Sequence, residues 1–384
     1  MHSSPSPPHP AAVVATPRAV AAPRTAARVA LIVAALGALA ALALGLALSL
    51  GSVPVDFATV VRALAGADDS TGAAIVRDLR LPRALAAFAV GGLLAVAGAL
   101  LQVLLRNPLA DPYILGVSGG AATGALGAMF VGAFALVTPA AFAGAVAATA
   151  TVFALARSGA ERAPWNATRL LLTGVVVAAG CGALVTLLLT LAPDAQVKGM
   201  LFWLIGDLSS VAAPGPALAA LAVCVVIAFA FARDLTLLAR GEDVAAALGV
   251  HVARTTLVAH GCAALATAVA VTTAGSVGFV GLVVPQALRL VLGNDQRLVL
   301  PASALAGGAF LTLADTLART LVAPAQLPVG VITALIGVPA FLWLLARREP
   351  SRSPGARWRR SSTSTCAPAR SGRSSGPTAR GRRR

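Results

Sequence analysis

The chain has 384 residues, of which 58% are apolar and 11% are charged. Because an average soluble domain carries about 25% charged residues, this composition excludes an ordinary soluble domain and indicates a polytopic membrane protein. The net charge of +16 does not indicate a nucleic-acid partner, since twelve of the arginines lie after residue 346 and other positive charge lies in loops.

Apolar runs in chain order predict an all-α membrane domain over residues 28–348. Residues 1–27 are rich in Pro, Ala and Ser, and residues 349–384 are rich in Ser, Arg and Pro, so both are predicted to be disordered tails, the second one basic. Between the tails, runs long enough to cross about 30 Å of hydrocarbon predict ten transmembrane helices. The ten predicted spans are 30–50, 84–105, 113–135, 138–157, 168–191, 213–232, 255–274, 278–293, 299–318 and 329–346.

Two apolar stretches need separate treatment. Residues 197–205 are too short to span the membrane and predict an interfacial or re-entrant helix. Residues 275–278, Gly-Ser-Val-Gly, are expected to separate the seventh span from the eighth.

A polar turn, defined here as residues 106–112, separates the second and third spans. Its Asn-Pro and Asp-Pro pairs each force non-helical backbone, which predicts a compact turn. The third span then places glycines at four-residue spacing on one helical face. Either this face admits a closely packed helix, or it reflects only the abundance of glycine, which has 37 copies in the chain. The residues of this face are Gly116, Gly120, Gly124, Ala128 and Gly132.

The distribution of arginine predicts that both termini are cytoplasmic, because basic residues are enriched in cytoplasmic loops. Of the six basic residues assigned to the outer side, four arginines cluster at one face: Arg77, Arg80, Arg83 and Arg319. An outward basic cluster either attracts an acidic partner or reaches to lipid phosphates.

The chain lacks the residues that would supply its own energy or chemistry. Its only lysine, Lys198, is followed by Gly199, so no phosphate-binding P-loop is present. A coupled carrier needs an ionisable group within the membrane; Asp315 and His260 come nearest and are interpreted as structural. No catalytic motif and no Cys-x-x-Cys pair occurs. We therefore expect a transport pathway without enzyme activity, metal or cofactor, powered from elsewhere; a secondary carrier acting alone is the alternative.

The charged loop, defined here as residues 238–250, predicts a short capped helix. Glu242 and Asp243 begin an Ala-rich segment, where acids favour the positive end of the helix dipole, and Gly249 is placed to end it. Such a helix suits docking into a groove on a soluble partner, although an ordinary interfacial loop is the alternative.

Several sequence blocks in fixed order resemble one family. Residues 28–348 are similar to the permease subunits of ATP-binding-cassette (ABC) importers for iron-siderophores, haem and vitamin B12. The blocks that carry this resemblance are 80–83, 102–112, 115–118, 168–174, 201–206, 238–250, 278–285, 314–319 and 327–337.

The resemblance implies the type II importer fold, with ten helices per subunit and a homodimer whose path lies on the two-fold axis. It also implies separate ATPase subunits, a periplasmic or lipid-anchored substrate-binding protein and a location in the cell inner membrane. Ferric siderophore is the expected cargo, because it is the commonest in the family, with haem or cobalamin as alternatives.

The resemblance also assigns roles to residues. Arg80, Arg83 and Arg319 are expected to dock the binding protein. The charged loop is expected to contact the ATPase through Leu238, Arg240, Gly241, Glu242, Asp243, Leu248 and Gly249. The cytoplasmic gate is expected at Asn107, Leu109, Ala167 and Thr168. Two residues depart from the family: Gln286 stands where histidine is common, and Asp207 where small or neutral residues are frequent.

Overall fold

The computed structural model describes residues 26–346, except residues 52, 54, 158–166, 210, 212 and 324. Throughout these ranges the chain is helical or irregular, without strands. The first helix begins at Ala26, two residues inside the predicted N-terminal tail. The rest of both predicted tails lies outside the described residues. The helices to Leu344 form one compact unit.

The α-helices are α1 (Ala26–Ser49), α2 (Phe57–Leu64), α3 (Thr71–Ala74), α4 (Leu81–Leu104), α5 (Val117–Phe130), α6 (Val137–Arg157), α7 (Ala167–Leu191), α8 (Asp194–Ile205), α9 (Gly215–Ala230), α10 (Ala232–Leu238), α11 (Glu242–Ala247), α12 (Val252–Ala274), α13 (Val280–Leu292), α14 (Gln296–Thr320) and α15 (Val329–Ala346). A π-helical turn, Ile75–Arg80, leads into α4, and 3₁₀ turns cover Pro112–Leu115 and Phe134–Leu136.

Each of the ten predicted spans overlaps one long helix: α1, α4, α5, α6, α7, α9, α12, α13, α14 or α15. Six of the described helical stretches are long and apolar enough to cross a membrane alone, and α9 with α10 makes a seventh that bends by 62°. The predicted span 113–135 is too long, since α5 is Val117–Phe130. It is shortened because Pro112 starts a 3₁₀ turn and Gly116 takes a left-handed φ of +73°.

The breaks follow local sequence. Helix α12 ends at Ala274, and positive φ angles of +69° at both Gly275 and Phe279 separate it from α13. The predicted break is therefore confirmed. Helix α8 has 12 residues, about 18 Å, so it is too short to span, as expected, although it starts three residues earlier than predicted.

Helix α4 is the centre of the packing and is buried along almost its whole length. It contacts α9, α12, α13 and α14. Close approach to α13 and α14 depends on glycine: a Cβ at Gly98 would lie 1.9 Å from the Gly281 carbonyl oxygen, and one at Gly91 would lie 2.2 Å from that of Gly307. Small residues thus let backbones pack directly, as is common between helices in lipid.

The glycine face of the third span is partly confirmed. A Cβ at Gly120 or Gly124 would lie 2.3 Å from the Gly144 oxygen or 2.1 Å from the Ala140 oxygen, both in α6. This part of the face therefore packs against α6. Gly132 does not contribute, because α5 ends at Phe130 and nothing lies within 4 Å of a Cβ there.

Candidate functional site

The packing brings three arginines together at the start of α4. Arg80 ends the π-helical turn, Arg83 lies in the first turn of α4, and Arg319 lies in the last turn of α14. Helices α4 and α14 run antiparallel, since Gly91 meets Gly307 while Arg83 meets Asp315. We call Arg80, Arg83 and Arg319 the arginine cluster.

Asp315 is the anion of this cluster. Its carboxylate accepts hydrogen bonds from Nε of Arg83 at 3.0 and 3.1 Å and from Nη2 at 2.8 Å. Arg319 Nε lies 3.2 Å from the other side of the same carboxylate, and Asp315 is only 1% exposed. Arg83 also donates to Gln326 Oε1 at 2.8 Å. One buried carboxylate therefore holds two guanidinium groups.

Arg80 serves a different purpose. Its guanidinium donates to the carbonyl oxygens of Leu48 at 2.7 Å and Ser49 at 2.9 Å, and to that of Val53. The last carbonyls of a helix lack intrahelical donors, and a cation there also favours the dipole. Arg80 thus caps the end of α1.

A cavity of about 430 Å³ adjoins the arginine cluster. All three arginines line it, together with Asp78 and Gln326. The arginines are only 5–9% exposed and bond to internal partners. They do not extend along the surface towards lipid phosphates, which disfavours that alternative. The sequence indicated cations at this end but not their burial.

The polar turn lies at the opposite end of α4. Arg106 takes a left-handed φ of +47°, and the Asn107 side chain accepts a hydrogen bond from the Leu109 amide at 2.9 Å. The Asn107 carbonyl accepts another from the Ala110 amide at 3.1 Å. The predicted compact turn is confirmed, and it leaves Leu109 47% exposed.

The charged loop contains the predicted short helix. Helix α11 is Glu242–Ala247, it carries both acids in its first turn, and Gly249 follows with φ +82°. Leu238 is buried and anchors the loop, whereas Leu248 is 55% exposed. Arg240, Asp243 and Gly249 are exposed, and Gly241 is half-buried.

The polar turn and the charged loop are in contact. Arg106 Nη2 of the polar turn lies 2.8 Å from Glu242 Oε1 of the charged loop, with the side chains 49% and 38% exposed. This ion pair was not predictable from the sequence, because the partners are 136 residues apart. Helix α7 begins at Ala167, but the side chains of Ala167 and Thr168 lie outside the described part of the structure, as does any contact with Asn107 or Leu109.

His260 and Gln286 lie buried within helices, and Asp207 lies in the turn after α8. His260 is buried, with Nδ1 2.9 Å from the Thr256 carbonyl oxygen and its ring edge-on to Phe153. The Asp207 carboxylate accepts from the Ser209 amide at 2.8 Å within its own turn. Gln286 is 2% exposed, and neither amide atom has a hydrogen-bond partner. In the ranges described, His, Cys, Asp and Glu do not gather into a group of three that could hold a metal.

Gln102 and Arg289 form a further network that the sequence analysis missed. Pro285 has no amide hydrogen, so the Gly281 carbonyl loses its usual helical donor. Gln102 Nε2 replaces it at 3.2 Å and also contacts the Leu282 carbonyl oxygen at 3.3 Å. Arg289 donates to Gln102 Oε1 and to the Ala99 carbonyl oxygen. Pro285 within an apolar span signals a free carbonyl, although not which residue satisfies it.

In the described residues, a helical, multi-pass fold with polar groups at both ends of its central helix is typical of a membrane transport protein. The particular family follows from comparison: the FecCD transport family matches residues 38–347, and the chain belongs to it. Among curated proteins, the cobalamin import system permease protein BtuC of Halobacterium salinarum is 46% identical over 284 residues, covering 73% of this chain and 75% of that protein. The Fe(3+) dicitrate transport system permease protein FecC of Escherichia coli is 37% identical over 305 residues, covering 77% and 91% respectively.

A solved structure supports the fold. The chain superposes on an inward-facing metal-chelate type ABC transporter with a TM-score of 0.71 and 29% sequence identity. The match covers 83% of this chain and 99% of that one. The type II importer permease fold, predicted from the resemblance, is confirmed.

Proposed function

We propose that this chain is the permease subunit of an ABC importer that moves a metal chelate, specifically ferric siderophore, across the inner membrane. In this proposal it acts as a homodimer with both termini in the cytoplasm, and separate ATPase subunits hydrolyse ATP. One observation carries the proposal: α4 has a cationic cavity at one end and a compact polar turn, ion-paired to the charged loop, at the other. An ABC importer needs a site that binds the substrate-binding protein on one side of the membrane and a site that contacts the ATPase on the other.

The arginine cluster is the proposed dock for a substrate-binding protein. The three guanidinium groups at the cavity stand against two carboxylates, Asp78 in the lining and Asp315, which pairs with Arg83 and Arg319, so the cavity retains an excess of positive charge. The guanidinium groups are held in place and largely desolvated. Acidic side chains that enter the cavity are therefore attracted more strongly than they would be by solvated arginines. Asp315 and Gln326 keep Arg83 at the cavity wall.

The charged loop is the proposed dock for the ATPase. Buried Leu238 fixes it to the membrane domain, while exposed Arg240, Asp243 and Leu248 provide a mixed polar and apolar surface. The polar turn, with Leu109 partly exposed, is the proposed gate together with the start of α7. Nucleotide-driven movement of the loop would open and close it.

The identity of the cargo is proposed separately from the permease function. The two relatives are named for cobalamin and for Fe(3+) dicitrate, both of them metal chelates. Ferric siderophore is the cargo that we propose, with haem and cobalamin as alternatives. The choice of ferric siderophore does not rest on sequence identity, which is higher to the cobalamin permease, at 46%, than to the Fe(3+) dicitrate permease, at 37%.

Reconstitution tests the function. The chain is placed in liposomes with its ATPase subunits and binding protein, and uptake of labelled ferric siderophore, haem and cobalamin is measured. We expect accumulation of the iron chelate only when ATP and the binding protein are both present. Accumulation by the chain alone, driven by an ion gradient, would instead establish a secondary carrier. Uptake only of cobalamin or haem would overturn the cargo and keep the permease.

Docking has its own test. Arg80→Gln is compared with Arg77→Gln, which removes an arginine from the same end whose ion pair with Asp69 is exposed. We expect binding-protein affinity to fall by at least about tenfold in the first variant and to change little in the second. Because Arg80 also caps α1, thermal unfolding of both variants is measured alongside. Equal affinities in folded variants would refute the docking role.

A further inference from the structure

We propose that Arg106 and Tyr113 are positioning residues that connect the charged loop to the 275–279 connection through the polar turn. This inference rests on the proposed function, in which the loop receives movement from the ATPase. The connection is the irregular segment between α12 and α13. The two residues stand at the two ends of the turn, and each bonds outside it.

Arg106 occupies a position that favours glycine. Helix α4 ends at Leu104, and two residues later the backbone takes a φ of +47°, an uncommon value for a side chain other than glycine. A strained residue that persists at such a site points to a use for its side chain. Here that side chain forms the 2.8 Å ion pair with Glu242.

Glu242 is the first residue of α11, so the pair joins the turn to the beginning of the loop helix. Both side chains are partly exposed, and ion pairs of this kind add little stability. The ion pair therefore contributes mainly by joining the polar turn to α11. When α11 moves, Arg106 either moves with Glu242 or loses this ion pair. Neighbouring Asp243 forms no ion pair with any other described residue.

Tyr113 makes the second link. Its backbone amide donates to Asp111 Oδ1 at 2.8 Å, which fixes it to the end of the turn. Its hydroxyl donates to the Val277 carbonyl oxygen at 2.8 Å and accepts from the Val277 amide at 2.9 Å. One hydroxyl thus satisfies both backbone groups of a residue in the connection, which has no regular hydrogen bonding of its own.

The connection also contacts α8 and leads directly into α13. A Cβ at Gly275 would lie 2.1 Å from the Trp203 carbonyl oxygen near the end of α8, and Phe279 caps the start of α13. No gap interrupts the path from Glu242 through Arg106, the turn and Tyr113 to Val277. A displacement of the loop therefore has a contiguous route to the connection, which packs against α8 and continues into α13.

A charge-swap cycle tests the first link. Arg106→Glu, Glu242→Arg and the double swap are assembled with the ATPase and binding protein in liposomes, and chelate uptake per ATP hydrolysed is measured. We expect each single variant to lose at least about fivefold, and the double swap to recover to within about twofold of wild type. As the matched control, Arg106→Glu is combined with Asp243→Arg, which restores the net charge without the pair and should not recover. Unaffected single variants, or a double swap as impaired as they are, would overturn the link.

A second readout keeps the inference separate from the transport assay. Hydrogen exchange at the Leu109 amide is followed in the permease–ATPase complex with and without nucleotide. We expect nucleotide to change exchange in wild type, not in Arg106→Glu, and again in the double swap. A response that persists in Arg106→Glu refutes the link, whichever cargo is carried. If wild type shows this response but no uptake, the proposed transport function fails and the linkage stands.

Tyr113→Phe tests the second link, because it keeps the ring and removes both hydrogen bonds to Val277. We expect exchange at the Val277 amide to rise by about tenfold or more, while the nucleotide response at Leu109 persists. Unchanged exchange at Val277, or unchanged uptake per ATP with increased exchange there, would exclude Tyr113 from the route.

Discussion

The two ends of α4 carry the same chemical pair in different surroundings. Arg83 and Asp315 lie 2.8 Å apart at one end, and Arg106 and Glu242 lie 2.8 Å apart at the other. Asp315 is 1% exposed, whereas both members of the second pair are more than one-third exposed. The two pairs therefore differ in their contribution to stability although their distances are equal, because that contribution depends on burial.

This difference suits different tasks. Removing one member of a buried pair leaves an uncompensated charge and costs about 3–5 kcal/mol, whereas an exposed pair is worth about 0–1 kcal/mol. The arginine cluster is therefore a fixed platform, suited to receiving a partner without rearranging. The Arg106–Glu242 pair can break and re-form within a transport cycle at little cost.

The largest expected effect tests this contrast directly. Asp315→Asn leaves Arg83 and Arg319 without their anion and should lower the free energy of unfolding by about 3–5 kcal/mol. Glu242→Gln should lower it by no more than about 1 kcal/mol. Unfolding in matched detergent micelles measures both. Similar losses in the two variants would show that burial does not separate these ends.

A second pair of variants asks whether the polar-turn end is held by packing instead of charge. Gly98→Ala places a Cβ 1.9 Å from the Gly281 oxygen and should cost about 1–3 kcal/mol through forced helix separation. Gly127→Ala is the matched control, since nothing lies within 4 Å of its added Cβ. It should be neutral or slightly stabilising. An intact Gly98→Ala protein would contradict direct backbone contact between α4 and α13.

Two buried glutamines sharpen the comparison further. Gln102→Leu removes the donor to the Gly281 carbonyl and should cost about 1–3 kcal/mol. Gln286→Leu removes an amide that has no partner and should be neutral or stabilising. The difference in unfolding free energy between the two variants is the measurement. Equal losses would mean that both amides are satisfied.

The smallest effect concerns pH at exposed helix α2. Asp56 caps this helix, and hydrogen bonds from the Thr59 side chain and amide lower the pKa of its carboxyl below 3.8. The cap is therefore complete at neutral pH and is lost as pH falls through that lowered pKa. Amide exchange at Thr59, expressed relative to Asp56→Asn, should rise only in strong acid. A constant ratio from pH 6 to pH 2 would exclude the cap.

Features set by neighbouring residues were predictable from the sequence. The apolar runs predicted a helix at each of ten places, the Gly-Ser-Val-Gly stretch located the break before α13, and Glu242 with Gly249 bounded α11. Each depends on backbone propensity or hydrophobic length over a few turns, which the local sequence contains. The family resemblance likewise came from ordered local blocks.

Tertiary structure decided the rest. Arg83 and Asp315 are 232 residues apart, and Arg106 and Glu242 are 136 apart, so only the packing of α4 with distant helices brings them together. The same packing buried the arginines that the sequence placed on the outer side. The same packing places Gly120 in contact with α6 but leaves Gly132 outside any helix contact, because α5 ends at Phe130, before Gly132. Sequence by itself supplied the charges and the spans; the meeting of the helices determined which charges are paired and how deeply they are buried.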